Sequence, residues 1–170
     1  MPLADSASRA AADRLEVIDA LQRVIDRIDA SPAQAAKADP RVKALTALPG
    51  IGPLTALVIL AEVGDVRRFS SARKLASRAG LTPTICGSDN TVRYGHISKQ
   101  GDPSLRWIMN QAAQTAKRTP PYAACFEQIA HRPGRKIATI VVARKLLTRA
   151  YHVLRKLEAI QQPKEPCTTA

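Results

Sequence analysis

Leu45-Thr46-Ala47-Leu48-Pro49-Gly50-Ile51-Gly52-Pro53-Leu54-Thr55-Ala56-Leu57-Val58-Ile59 is the stretch on which the reading of this chain turns. Leu45, Leu48, Ile51 and Ile59 are spaced to pack two short helices against each other across a tight turn. Gly50 and Gly52 permit positive backbone dihedrals, and they clear side chains from the turn so that its N–H groups can approach an anion. Pro53 suits the first position of the second helix, whose N-terminal dipole adds to that anion preference. Two helices joined this way form a helix-hairpin-helix, a device that grips the phosphate backbone without reading bases. Gly50, Ile51, Gly52 and Thr55 are its candidate contact residues. The alternative is an ordinary Pro-Gly turn between helices.

Upstream, Asp39-Pro40 supplies an N-cap and first helical position for a helix reaching Ala47. Before it, Ala7–Ala30 reads as one amphipathic helix. Ile18, Leu21, Ile25 and Ile28 recur at alternating steps of three and four, and mixed charge occupies the other face. This arm is expected to dock or dimerise, with intramolecular packing as the rival reading; two heptads do not make a coiled coil. Ser31-Pro32 is expected to end it, leaving Ala33–Asp39 as a linker.

Downstream, the second hairpin helix should run from Pro53 to Glu62 or Val63, where Gly64 stops it. A third helix fits Ser71–Ala79. Leu81–Gly101, rich in glycine and hydroxyl side chains, reads as a long loop with a strand pair around Thr91–Ile97. Asp102-Pro103 opens a helix whose stripe is Leu105, Ile108, Met109, Ala112, Ala113 and Ala116. Thr119-Pro120 opens another, to about Ala130. The last helix, from Arg135 to about Ile160, is expected to turn Ile137, Ile140, Val141, Leu147, Tyr151 and Leu154 inward. The fold class is therefore mainly α: a helix-hairpin-helix in a small helical domain with an N-terminal helical arm. Residues 1–40 form the arm and linker, 41–160 the DNA-binding domain, and 161–170 a flexible tail.

Charge separates the same parts. Residues 1–40 carry five basic and seven acidic side chains, whereas residues 41–170 carry 21 basic and seven acidic ones. A body so basic calls for a polyanionic partner. Cys86, Cys125 and Cys167 form no close pair, which fits a reducing cytoplasm and argues against a zinc site or a disulfide framework. No leader-like apolar segment opens the chain, and no membrane partner is expected.

Several further blocks occur in order: Leu60-Ala61-Glu62-Val63-Gly64-Asp65, Ala79-Gly80-Leu81-Thr82-Pro83, Ser88, Gly95-His96-Ile97-Ser98-Lys99-Gln100-Gly101-Asp102 and Leu105-Arg106. With the hairpin they resemble the C-terminal domain of the insertion-sequence one-ten and one-sixteen family of bacterial transposases, relatives of the pilin-inversion recombinase, over about residues 41–157. The resemblance implies DNA transposition or recombination, with Ser88 as the nucleophile that joins a DNA phosphate. It also implies a guide RNA as a second partner. A RuvC-like domain with four carboxylates and magnesium precedes this region in the family. No metal ligands or cofactor are assigned to this chain itself, which is expected to be a truncated member, inactive alone.

Family members carry glycine after the serine, where this chain has Asp89; a carboxylate there repels an incoming phosphate unless a metal or Arg93 offsets it. Arg93, Lys99 and Arg106 are the cations placed to stabilise phosphate charge. Without the resemblance, Ser88 reads as a turn serine bonded to its own backbone. Tyr94 is a rival nucleophile, while His96 and His131 read as surface residues. Two other functions stand beside the first: a non-catalytic helix-hairpin-helix DNA-binding module, and a basic RNA-binding or assembly protein. An oligomer of identical chains formed through the arm is expected in each case.

Overall fold

A computed structural model describes residues 2–88, 91–131 and 134–161. Seven α-helices and one antiparallel hairpin make up its regular structure: α1 Pro2–Ala38, α2 Pro40–Thr46, α3 Pro53–Val63, α4 Ala72–Arg78, β1 Pro83–Ser88, β2 Thr91–Ile97, α5 Pro103–Ala116, α6 Tyr122–Ala130 and α7 Arg135–Gln161. A short 3-10 turn, Val66–Arg68, lies between α3 and α4. The mainly α expectation holds. So do the bounds of α2, α3, α4 and α5 to within two residues.

Local chemistry explains most of the helix starts. Asp39, Asp65 and Asp102 each accept a hydrogen bond from a backbone N–H two residues on, at 2.8 Å, and Ser71 accepts from the N–H of Lys74. Asp39 and Asp65 each also hold an arginine two residues ahead as a fork. Arg41 Nη2 donates to Asp39 at 2.7 Å, and Arg67 Nη2 donates to Asp65 at 3.0 Å. The arginine beside each carboxyl holds it below the usual aspartate range.

The core lies among α3, α5 and α7, closed by α2, α4 and α6. Leu45, Ile59, Leu75, Leu105, Met109, Leu146 and Leu147 are fully enclosed. All six residues of the expected α5 stripe are buried. Tyr151 of α7 donates its hydroxyl to the Phe69 carbonyl at 3.0 Å, tying the loop before α4 to the last helix.

Four expectations need correction. First, α1 does not stop at Ser31: it continues through Pro32 to Ala38, so there is no linker. A proline costs one backbone hydrogen bond there. Ala33-Gln34-Ala35-Ala36-Lys37-Ala38 has high helix propensity, and Ala36 packs into the core, so burial holds the last turns in helix.

Second, α6 begins at Tyr122. Neither Pro120 nor Pro121 has an N–H to donate; the first bonds run from the N–H groups of Tyr122 and Ala123 to the Thr119 carbonyl, at 2.9 and 3.1 Å, so regular helix starts two residues later than expected. Third, α7 follows the expected phase only in its second half, where Leu147, Tyr151 and Leu154 are buried. Ile137 is 47% exposed and Ile140 and Val141 are half-buried, while Ala138, Val142, Ala143, Leu146 and Ala150 face inward. Small alanines let α5 and α6 approach closely, a preference that a count of large apolar residues overlooks. Fourth, the strand pair expected around Thr91–Ile97 is present but takes in more of the expected loop, back to Pro83: Pro83 pairs with Ile97, Ile85 with Tyr94 and Ser88 with Thr91.

Among the described residues the apolar seam of α1 is left exposed. Leu15, Ile18, Leu21, Ile25 and Ile28 are all about half exposed or more. The expected tail falls almost entirely outside the described residues.

Candidate nucleic-acid interface

The turn between α2 and α3 is built from Leu48, Pro49, Gly50 and Ile51. The Ile51 N–H donates to the Leu48 carbonyl at 3.2 Å, and Gly50 has φ of 81°. Proline second and a positive-φ glycine third is the pattern of a type II turn. Ile51 is buried and anchors the turn; Thr55 is half-buried on α3.

The two glycines serve different ends. A β-carbon on Gly50 would run into the backbone of Ala112 and Ala116, so this glycine lets the turn seat on α5. At Gly52 the backbone is extended, with φ of −87° and ψ of 174°, and nothing lies within 4 Å of where a β-carbon would stand. Gly52 is the N-cap of α3 and offers no side chain to its first turn, unlike Asp39, Ser71 and Asp102. A shallow concavity of about 550 Å³ lies over this turn, walled by Thr46–Gly52 with Thr115 and Pro120.

The remaining candidates gather at the other end of α5. Arg106 Nη1 donates to the carbonyls of Ala79, at 3.2 Å, and Lys99, at 3.1 Å. Its guanidinium therefore clasps the base of the hairpin to the end of α4. Lys99 is exposed and is held at φ of 53°, a left-handed conformation uncommon outside glycine. The rise of a helix sets Arg106 roughly 15 Å along α5 from Ala116, where the turn seats.

Ser88 is the last residue of β1, at the far end of a six-residue strand from that base, about 17 Å out along the hairpin. The side chains of Ser88 and Arg93, and Asp89 as a whole, lie outside the described residues. Among the described residues the candidates lie in separate places. Gly50, Ile51, Gly52 and Thr55 share one end of α5, Lys99 and Arg106 the other, and the Ser88 backbone stands beyond.

Carboxylates do not form a metal set with them. Among the described residues no three His, Cys, Asp or Glu side chains converge. Glu62 and Asp102 do lean together: the shared hydrogen bond holds Glu62 above its usual range and Asp102 below it. Asp102 Oδ1 already accepts from the N–H groups of Ser104 and Leu105. The magnesium implied for the complete family enzyme finds no matching donor set in this pair.

The sequence reading passed over Lys136 and Arg144 on α7. Both line a cavity of about 800 Å³ at the hairpin base, together with Lys99 and His96. No motif marks them; only the fold, which sets α7 across a cavity from the hairpin base, brings them to the same cavity as Lys99.

Comparison with known proteins bears on these features directly. Residues 42–128 match the model of the transposase IS116/IS110/IS902 family, a span that takes in the turn, the hairpin, α5 and most of α6. The chain belongs to this transposase family. Among its relatives, a probable family 20 transposase of Pseudomonas aeruginosa is 28% identical over 138 residues, 78% of this chain and 40% of that protein. The transposase for insertion sequence element IS1111A of Coxiella burnetii is 31% identical over 115 residues, 65% of this chain and 32% of its own length. The pilin gene-inverting protein of Moraxella bovis is 32% identical over 68% of this chain and 37% of its own. The chain thus spans well under half the length of these relatives. Among the described residues no helix is long and apolar enough to cross a membrane.

Proposed function

We propose that this chain is the part of a transposase that grips the DNA backbone, and that it contributes Ser88 as the nucleophile of an active site completed by carboxylates outside it. Family membership carries this reading. The chemistry of the turn supports it: Gly52 leaves the N-terminus of α3 without a side-chain cap beside an open concavity, where a phosphate oxygen can accept from the backbone. Such contacts hold the strand without reading its sequence.

In the reaction proposed, the Ser88 oxygen attacks phosphorus, its proton passes to a base, and the displaced strand leaves as an alcohol. A serine hydroxyl needs a base or metal to become nucleophilic, so the isolated chain should be inert. Arg93 and Lys99 are placed by sequence to offset phosphate charge near the hairpin; Arg106 positions Lys99 through its carbonyl. The exposed seam of α1 suits pairing with a second copy of the chain, and a guide RNA is a further proposed partner. A cytoplasmic location accords with this work. The second reading, a DNA-binding module in which Ser88 is idle, is favoured by Asp89 beside that serine.

Salt dependence of binding to a random-sequence duplex tests the reading. With about six phosphates contacted, log K should fall against log salt with a slope of about −5. A flat dependence would exclude a nucleic-acid grip of any kind.

A further inference from the structure

Two cavities adjoin along the N-terminal half of α7. The larger, about 800 Å³, has apolar walls from Leu81, Pro83 and Ile97 at the hairpin base and from Ile137, Ile140 and Val141 on α7. The smaller, about 370 Å³, lies between α5 and α7 and is lined by polar groups, including Asn110, Gln114 and Thr139. Lys136 and Ile140 line both, so the two form one groove across α7. Its borders carry Lys99, Lys136 and Arg144 around the apolar part, and Lys117 and Arg135 around the polar part; among the described residues no carboxylate lines either.

Several of these cations are held in place. The Lys99 backbone sits at φ of 53° with its carbonyl bound by Arg106. Lys117 Nζ donates to Gln114 at 2.6 Å and stands over the Phe126 ring at 5.1 Å, while the Arg135 guanidinium stands 5.7 Å from the centre of the same ring. A left-handed lysine held at a cavity rim is strain kept in place by its surroundings, and such strain concentrates at ligand sites.

We propose that this groove holds unpaired nucleotides of a DNA strand, with bases against the apolar cavity and phosphates on Lys99, Lys136 and Arg144. A duplex keeps its bases stacked and has nothing to place against Ile97, Ile137 and Val141. An unpaired strand presents an apolar ring face and an anion in every residue, which matches an apolar floor with a cationic border. The proposal rests on the DNA reading above and adds a second site to it, separate from the turn.

The test measures fluorescence anisotropy of the full chain with (dT)12, (rU)12 and a 20-base-pair duplex, at one salt concentration. The wild type should bind (dT)12 at least fivefold tighter than (rU)12. Ile137→Asp places a carboxylate in the apolar floor at a side chain that is 47% exposed, a position where the fold tolerates polarity. It should weaken (dT)12 at least tenfold and leave the duplex within twofold. Should Ile137→Asp fail to fold by circular dichroism, Ile137→Ser paired with Lys136→Gln makes the same comparison.

Unchanged (dT)12 affinity in a folded variant would overturn the site, as would (rU)12 binding as tightly as (dT)12. A polyglutamate peptide that displaces (dT)12 at equal concentration would overturn it in favour of an acidic protein partner. Loss of duplex binding by the wild type itself would sink the DNA reading rather than the groove alone.

Discussion

Gly50 seats against Ala112 of α5 so closely that a β-carbon on it would run into the Ala112 carbonyl oxygen. A glycine that looks like a phosphate contact in sequence is thus a packing residue, while Gly52 two positions on has open space and an ordinary backbone. The pair separates fold from binding. Gly50→Ala forces an L residue to φ of 81° and into α5, and should cost about 2 kcal/mol or more in urea denaturation. Gly52→Asp supplies the missing cap and should stabilise the fold by a few tenths of a kcal/mol. Its carboxylate takes the N–H groups and repels phosphate, so duplex affinity should drop several-fold. Unchanged affinity in Gly52→Asp would return the turn to a purely structural role.

Glu62 and Asp102 give a pH signature. Their shared hydrogen bond raises Glu62 above its ordinary range, so the unfolded chain releases that proton first. Stability from this group therefore declines as pH rises from the ordinary glutamate value to the raised one, and the penalty persists above it. Asp102 is lowered and acts oppositely, losing its contribution as pH falls through its own depressed value. Glu62→Gln should raise the urea midpoint at pH 7, and the gain should vanish near pH 3, where the wild-type glutamate is protonated. A variant equally stabilised at both values would show that charge is not the cause.

The α1 seam should behave as an interface. Ile18→Glu together with Ile25→Glu places charge on two exposed apolar positions, so the monomer should fold unchanged while its self-association weakens about tenfold or more. Sedimentation equilibrium reads this. The same oligomer in wild type and variant would exclude the arm as the dimer contact.

Ser88 is tested with a family carboxylate domain and guide RNA supplied in trans, under conditions that trap a protein–DNA adduct. Ser88→Ala should abolish the adduct and leave duplex affinity within twofold, since one hydroxyl is a small part of the grip. Asp89→Gly should raise the yield by removing a carboxylate beside the reacting phosphate. An adduct mapped to Tyr94, or one formed by the chain alone, would refute the assignment.

Short-range chemistry accounts for what was legible in the sequence. Asp39-Pro40, Gly52-Pro53 and Asp102-Pro103 each mark a helix start within two or three residues, and the α5 stripe follows from a single helical period. The family, too, was legible from ordered blocks of residues. Tertiary packing decided the rest. Pro32 stays helical because Ala36 is buried against neighbouring elements; the phase of α7 follows alanines that admit α5 and α6; Gly50 is required by a helix sixty residues away. Lys136 and Arg144 come to share a cavity with Lys99 only in the folded chain, where α7 lies across it from the hairpin base. Each of these depends on atoms distant in the chain, whose approach is set by the free energy of burying the whole core and leaves no local pattern to read.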